Sequence, residues 1–345
     1  MPGLVLITGG AGFLGSHLVE VVRARGERVR ILDCIEPPAW CAATGVEYLR
    51  GDVREPAVIQ EAMQGAGAVI HAAFASPRQP RELMRDVNVE ATRLVCEAAL
   101  KRGARFVLIS STIVMRPART HPFLGNSPLS RLDLYRSTRA EAEESASRFI
   151  DRGLSCAIVR PKTFLGPGRV SAFTILFERI RRGMAVPVLG SGANRYQLLH
   201  IRDMAEGIAL LQDSAAQGIF HFGARQFGTV REDLQALVNH AGSGARLSFL
   251  PAGLSRLVLR AIELAGMTPA AEWHHMSAAG RDAVVDISRA EKELGWSARW
   301  SNSEALGQAY DWYTESLNQT GVAQALHPLP FGHRLLDGIL RVFIR

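Results

Sequence analysis

Short apolar runs alternate with helical patterns through the first half of the chain. The runs predict strands at 4–8, 29–33, 46–52, 68–73, 105–111 and 156–161, and helical patterns fall around 56–64, 82–102 and 133–152. Strands that alternate with helices are typical of a parallel sheet covered on both faces, which binds ligands at the carboxyl ends of its strands. The pattern therefore predicts an α/β fold with a doubly wound parallel sheet.

The alternation breaks after Pro161, where two glycine-rich stretches, 166–168 and 190–192, bracket a helical pattern at 171–182. An apolar run at 219–223 predicts a strand that returns to the sheet. These features predict a sheet domain, a smaller C-terminal substrate lobe and an amphipathic tail. The sheet domain takes 1–165 with 196–225 returning to it, the substrate lobe takes 166–195 and 226–320, and the tail takes 321–345.

A glycine-rich turn joins the first strand to the first helix. Gly10, Gly12 and Gly15 fit G-x-G-x-x-G, and Gly9 replaces Gly10 in the related G-x-x-G-x-x-G spacing. Glycines here allow a tight turn and let backbone N–H groups approach a pyrophosphate at the helix N-terminus. Asp33 ends the second strand at the distance typical of the acid that binds the adenosine ribose. The turn predicts a Rossmann dinucleotide site, and the carboxylate favours NAD over NADP because it repels a 2′-phosphate.

Composition narrows the class of protein. The 345 residues are 47% hydrophobic and 21% charged, and no apolar run is long enough to span a bilayer. The net charge of +7 is spread along the chain without a basic block interleaved with aromatics, so nucleic acid is not a predicted partner. Four scattered cysteines and a first strand at residue 4 predict a cytoplasmic protein without structural disulfides.

Thr112, Tyr135 and Arg139 are the candidate catalytic residues. Thr112 follows a predicted strand, and Tyr135 and Arg139 share one face of the next helix because they are four residues apart. A free tyrosine has a pKa of about 10, and a fixed cation nearby lowers that value. The pattern predicts that Tyr135 exchanges a proton with a substrate oxygen that Thr112 positions.

Together these motifs resemble the extended short-chain dehydrogenase/reductase family, of the NAD-dependent epimerase/dehydratase type, over about residues 4–315. The matching segments are 8–15, Gly51-Asp52-Val53, His71-Ala72-Ala73, 86–92, Ser110-Ser111-Thr112, Tyr135-x-x-x-Arg139, Arg160-Pro161, 200–203 and 286–296. The resemblance implies that Asp33 binds the ribose and that Asp52 and Val53 bind the adenine. The implied cofactor-binding residues are Gly9, Gly12, Phe13, Leu14, Gly15, Asp33, Asp52, Val53, Ala72, Ala73, Asn88, Ser110, Tyr135, Arg139 and Pro161.

Arg139 departs from the family, which usually has lysine at this position. That lysine supplies a positive field and binds the nicotinamide ribose. Arginine keeps the charge, but it is planar and bulkier and is not interchangeable with lysine at a fitted site. Three interpretations stay open: a functional replacement, a slower or specialised enzyme, or loss of catalysis with cofactor binding retained. Intact Tyr135 and Thr112 favour an enzyme.

The substrate pattern favours the hydroxysteroid-dehydrogenase-like branch of the family. The arginine that nucleotide-sugar enzymes commonly carry four residues before His200 is Tyr196 here, with Arg195 one residue earlier. We therefore predict hydride transfer between nicotinamide and a secondary alcohol or ketone of a mostly apolar metabolite. Phe74, Thr163 and Arg195 are the candidate substrate residues. The alternatives are a nucleotide-sugar epimerase or dehydratase with tightly bound NAD, and a non-catalytic NAD-binding regulator.

Three further predictions concern metal, partners and the tail. Adjacent His274 and His275 point to different faces with no third ligand in register, so no metal site is predicted. The family resemblance implies a homodimer built on the helices around 82–102 and 133–152.

In the tail, apolar side chains within 331–345 fall on one helical face and arginines elsewhere. Docking on the protein itself or a sister subunit is favoured there over peripheral contact with an anionic membrane.

Overall fold

The computed structural model describes residues 3–77, 79–116, 122, 127–169, 173–251 and 282–317. Within them the chain forms two compact units, and it passes from one to the other five times. Unit 1 is Met1–Lys162, Ile201–Phe222 and Val285–Ser297, and unit 2 is Thr163–His200, Gly223–Val284 and Ala298–Arg345. His274, His275 and the tail at 321–345 lie outside the described residues.

Unit 1 is built on a parallel sheet of seven strands in the order β10-β6-β5-β4-β1-β2-β3. These strands are β1 (Leu4–Thr8), β2 (Arg28–Asp33), β3 (Glu47–Arg50), β4 (Ala66–His71), β5 (Arg105–Ile109), β6 (Cys156–Pro161) and β10 (Gly218–Phe222). The order reverses between β1 and β4, which is the doubly wound arrangement. The predicted α/β Rossmann fold is confirmed, and the run at 219–223 supplies the edge strand β10 beside β6.

Helices cover both faces of this sheet. They are α1 (Phe13–Ala24), α2 (Ala39–Thr44), α3 (Pro56–Ala62), α4 (Arg81–Arg85), α5 (Thr92–Arg102), α6 (Leu134–Ile150), α8 (Ile201–Asp213) and α10 (Ser288–Leu294). A π-helical segment, Asp86–Ala91, joins α4 to α5, and a 3-10 turn, Thr112–Val114, follows β5. A core cluster between α3, α5, α6 and the sheet includes Leu6, Phe106 and Ile158, because alternate strand residues face these helices.

Unit 2 contains two short parallel strand pairs and its own core. The pairs are β7 (Phe164–Leu165) with β9 (Leu199–His200) and β8 (Val186–Leu189) with β11 (Leu247–Leu250). Its helices are α7 (Phe173–Arg181), α9 (Val230–Ala241) and α11 (Asn302–Ser316). Both α9 and α11 begin with a capping box, at Thr229 and Ser301 respectively. In each box the hydroxyl accepts from the backbone N–H of a glutamate three residues later, and the glutamate side chain accepts from the backbone N–H of the capping residue.

Candidate active site

The glycine-rich turn lies between β1 and α1 and is shaped by close backbone contacts. Gly9 has φ +68°, and a Cβ atom there would lie 2.8 Å from the backbone of Ala73. A Cβ on Gly15 would overlap the backbone of Gly10. Gly12 is the N-cap of α1, which among the described residues has no side-chain cap and no acidic residue in its first turn. Its N-terminal N–H groups are therefore suited to an anionic group such as a pyrophosphate.

Asp33 ends β2 beside this turn. Its carboxylate accepts hydrogen bonds from the backbone N–H groups of Ala11 at 3.0 Å and Ile35 at 3.4 Å, which fix it against the loop. Asp52 follows β3 and pairs with Arg54, with N–O distances of 2.6–3.0 Å. Hydrogen bonds from the Arg54 side chain are the main reason that the pKa of Asp52 is lowered. Both carboxylates lie at the carboxyl ends of the adjacent parallel strands β2 and β3. This is where the sequence predicts that the adenosine half of the cofactor binds.

His71 ends β4 and joins the first strand to the π-helical segment. The Nδ1 atom of the ring is 2.7 Å from the Thr8 hydroxyl oxygen, and the Nε2 atom is 3.1 Å from the Thr92 hydroxyl oxygen. Thr92 donates its own proton to the Asn88 carbonyl at 2.7 Å, so it accepts from Nε2–H, and Nδ1 accepts from Thr8. Complete burial and then the nearby Arg139 cation lower the pKa of His71 to about 3, so the ring is neutral.

Asn88 lies inside the π-helical segment and is completely buried. Its side chain accepts from the Ala75 N–H at 2.8 Å and donates to the Thr138 hydroxyl at 3.1 Å. Thr138 in turn donates to the backbone carbonyl of Tyr135 at 3.1 Å. A single buried amide thus joins the loop after β4 to the first turns of α6. The segment is a local departure from α-helical geometry of the kind often found at functional sites.

Tyr135 and Arg139 lie on the first turns of α6, which begins after the N-cap Asp133. The guanidinium carbon of Arg139 is 5.8 Å from the centre of the Tyr135 ring and only 3.6 Å from the centre of the Phe74 ring. Arg139 is 6% exposed. The predicted pairing of Tyr135 and Arg139 on one helix face is present, and Phe74 is an additional partner that the sequence did not reveal.

Thr112 opens the 3-10 turn that follows β5, and this turn contacts α6. The Ser111 side chain caps the turn by accepting from the Ile113 N–H at 3.2 Å. Ser110 is 3% exposed, and its hydroxyl has no hydrogen-bond partner among the described residues. The structure therefore brings Ser110 and Thr112 to the carboxyl end of β5, on the strand beside β4 and β6.

A buried charged cluster lies at the end of β6, next to Pro161. The Arg160 guanidinium donates to the Glu143 carboxylate on α6 at 2.6–3.1 Å, and both side chains are 3% exposed. His221 on β10 lies beside Arg160 in register, and burial followed by the Arg160 charge lowers its pKa to about 4. Burial also lowers the pKa of Lys162 to about 7. No local pattern singles out Lys162, because a lysine after a strand has no distinctive spacing.

Two of the predicted substrate residues belong to unit 2. The Thr163 hydroxyl is 2.8 Å from the Tyr196 hydroxyl. Arg195 is exposed, its guanidinium lies 4.8 Å from the centre of the Phe227 ring, and its backbone N–H donates to Asp282 at 2.8 Å. Thr163 and Arg195 both belong to unit 2, although the predicted bounds assign Thr163 to the sheet domain.

The residues of unit 1 fit a dinucleotide. The glycine-rich turn leaves no room for a side chain at Gly9 or Gly15. Two buried polar atoms, Ser110 Oγ and Arg139 Nε, have no hydrogen-bond partner among the described residues. Unpaired buried polar atoms are uncommon in proteins, so their presence at this edge of the sheet suits a polar ligand. Asp33, Asp52 and the α1 N-terminus would hold the adenosine and pyrophosphate.

Metal-binding clusters and membrane-spanning helices are both absent from the residues that the structure describes. No group of three histidine, cysteine or acidic residues there could hold a metal ion. Among those residues, too, no helix has the length and apolar character to cross a bilayer.

The fold and this site define a dinucleotide-binding α/β protein of the short-chain dehydrogenase/reductase class. Residues 5–223 match the model of the NAD dependent epimerase/dehydratase family. The chain belongs to that family, and the predicted family membership is confirmed.

Comparisons with individual proteins agree with this assignment. The chain is 32% identical to the ceramide reductase of Caulobacter vibrioides over 72% of this chain and 74% of the relative. It is 26% identical to the 3 beta-hydroxysteroid dehydrogenase/Delta 5-->4-isomerase of Mycobacterium tuberculosis over 92% of both chains. The solved structure of MoeE5 in complex with UDP-glucose and NAD matches with a TM-score of 0.73 at 24% identity, covering 92% of this chain and 100% of MoeE5. That last likeness shows the shared fold.

Proposed function

We propose that the protein is an NAD-dependent dehydrogenase or reductase that acts on a secondary alcohol or ketone of a mostly apolar metabolite. The observation that carries the proposal is the grouping of Tyr135 and buried Arg139 on one face of α6, with Arg139 against the Phe74 ring in the loop after β4. NAD supplies hydride exchange when bound. Asp33, which accepts from the glycine-rich loop, favours NAD over NADP.

Tyr135 is the proposed acid/base. In the oxidative direction the substrate hydroxyl would lose its proton to deprotonated Tyr135 as the carbinol carbon gives a hydride to the bound cofactor, which would leave a ketone. In the reductive direction Tyr135 would return the proton to the carbonyl oxygen. Thr112 would hold that oxygen by a hydrogen bond. Arg139 places a cation beside Tyr135, with 5.8 Å from the guanidinium carbon to the centre of the tyrosine ring.

An apolar substrate is favoured by the relatives and by the sequence. One relative is named a ceramide reductase and another a 3 beta-hydroxysteroid dehydrogenase, and both names refer to substrates with large hydrocarbon parts. In this chain Tyr196 stands where nucleotide-sugar members commonly have a diphosphate-binding arginine. Thr163, hydrogen-bonded to Tyr196, and Arg195 are the proposed substrate contacts in unit 2. A cytoplasmic homodimer is the proposed form of the protein.

The first experiment tests the enzyme class. The protein is purified without added nucleotide and denatured, and the supernatant is assayed for NAD and NADP. We expect an empty protein that binds added NADH reversibly, because a dehydrogenase exchanges its cofactor at each turnover. Stoichiometric NAD would instead favour the nucleotide-sugar epimerase or dehydratase, which regenerates its cofactor within the cycle.

The second experiment tests Tyr135 itself. A screen of sterol and ceramide-type alcohols and ketones, followed by absorbance at 340 nm, is expected to identify a substrate. Tyr135→Phe should then lower kcat by about 10²–10⁴-fold, as for loss of a positioned acid/base, while NADH still binds. Full turnover by this variant would refute the mechanism. Absence of turnover with every substrate of the screen, despite NADH binding, would favour the NAD-binding regulator.

A further inference from the structure

We propose that Phe74 is a positioning residue that holds the Arg139 guanidinium in the orientation needed to bind the nicotinamide ribose. The inference rests on the proposed function insofar as Arg139 takes the place of the usual lysine. The sequence assigns Phe74 to the substrate, but the structure places its ring under Arg139, at 3.6 Å from the guanidinium carbon to the ring centre.

A second ring, that of His71, also contacts Phe74. The His71 ring lies 5.6 Å from it, centre to centre, and His71 is fixed between the hydroxyls of Thr8 and Thr92. Phe74 also packs against the core cluster between the sheet and its helices. Successive contacts therefore connect Phe106 to His71, His71 to Phe74 and Phe74 to Arg139. This series joins the core of unit 1 to the cation.

A planar cation needs such a support more than an ammonium group does. The three donors of lysine rotate around one nitrogen, whereas the donors of arginine lie in one plane, so the orientation of that plane decides which of them reach a ligand. A ring face attracts the guanidinium electrostatically and sets its plane, and the attraction is strongest where water is excluded. Arg139 is 94% buried, so the contact lies in that stronger range.

The unpaired nitrogen of Arg139 points to the same conclusion. Arg139 Nε is buried and has no hydrogen-bond partner among the described residues. No bond at Nε therefore sets the orientation of the guanidinium, and the contact with Phe74 supplies that constraint.

Calorimetric binding of two probes tests the proposal without any substrate. NADH contains the nicotinamide ribose, whereas ADP carries only the adenosine and pyrophosphate half. Phe74→Leu should weaken NADH binding about tenfold and leave ADP binding unchanged. A tenfold loss lies within the range that a buried cation–ring contact contributes. Phe74→Trp keeps a ring face and should retain most of the affinity. In a protein that already carries Arg139→Met, Phe74→Leu should cause no further loss of NADH affinity.

The control is Phe149→Leu, which removes the ring beneath Arg152, 4.6 Å away, elsewhere in unit 1. It should leave the binding of both probes unchanged. Unaltered NADH binding in Phe74→Leu, an equal loss of NADH and ADP, or the same loss in the Arg139→Met background would each overturn the proposal. Because turnover is not measured here, failure of this cycle is distinct from failure of Tyr135 as the acid/base.

Discussion

At the residue scale, His71 shows how a titratable side chain can serve as a fixed spacer. Its two nitrogens are committed to Thr8 and Thr92, and the ring is completely buried. A proton added to Nδ1 would have to displace the Thr8 hydroxyl proton, and the new charge would face Arg139. The neutral form is therefore the one that the fold requires, and this has a consequence for stability in acid.

His71 makes the protein sensitive to acid between pH 6.5 and about 3. Its pKa falls from 6.5 to about 3 on folding, so the unfolded state binds the proton more readily in this range. Its contribution to the free energy of unfolding is complete above pH 6.5 and is lost as the pH falls toward 3, by about 1.4 kcal/mol per pH unit. We expect His71→Gln to reduce this slope by that amount in urea unfolding measured from pH 6 to pH 4.

Thr92→Val provides the matched comparison. It removes a hydroxyl from the same network but no titrating group, so it should lower stability by a similar amount at every pH. A His71→Gln slope that equals the wild-type slope would show that His71 is not the origin of the acid sensitivity.

The residues of the site differ in how far sequence could predict them. The spacing of four that puts Tyr135 and Arg139 together is a property of any helix, so the pair was predictable. The contact of Phe74 with Arg139 joins residues 65 positions apart through the packing of α6 on the sheet, and no local pattern encodes it. The partners of Asn88 were hidden for the same reason.

At the scale of elements, a buried ion pair joins α6 to the sheet. Glu143 lies one turn beyond Arg139 and pairs with Arg160 on β6, with both side chains almost fully buried. Removal of one partner of such a pair leaves an uncompensated charge in the interior.

We expect Glu143→Ala to lower the free energy of unfolding by about 3–5 kcal/mol, because it leaves the Arg160 cation buried without its carboxylate. Urea denaturation measures this change. The double variant Glu143→Leu/Arg160→Met should recover much of the loss, since it removes both charges. Glu144→Ala, which breaks an exposed pair with Arg131 on the same helix, should have little effect. An equally small effect of Glu143→Ala would show that the pair does not fix α6.

The strands of the main sheet were predictable because apolar runs bounded by turn residues are strong local signals. The predicted strand at 156–161 coincides with β6, and the run at 105–111 ends two residues beyond β5. The single helical pattern at 82–102 is instead α4, the π-helical segment and α5 in succession. The sequence of the π-helical segment has ordinary helical spacing, so it does not signal the wider turn. The wider turn is accompanied by hydrogen bonds to distant residues, such as those that Asn88 makes with Ala75 and Thr138. The two-residue strands β7 and β9 carry too few positions for any periodicity.

At the scale of the whole molecule, the tail beyond residue 326 is the segment whose role can be tested by deletion. Its apolar face and arginines suit either docking on protein or contact with an anionic membrane. If the tail docks on protein, removal of 327–345 should lower the unfolding temperature. Sedimentation of the protein with anionic phospholipid vesicles should then stay unchanged. A loss of vesicle binding at an unchanged unfolding temperature would instead favour the membrane. The full chain is the control in both measurements.

The five passages of the chain between its two units have a further consequence during synthesis. Strand β6 is complete at Pro161, but β10, which covers its outer edge, ends only at Phe222. At translation rates of about 5–20 residues per second, that edge has no partner for roughly 3–12 s after β6 is made. An open strand edge is a template for pairing with another chain. We therefore expect newly made chains truncated between 165 and 215 to aggregate or to bind chaperones, whereas chains that include β10 do so far less.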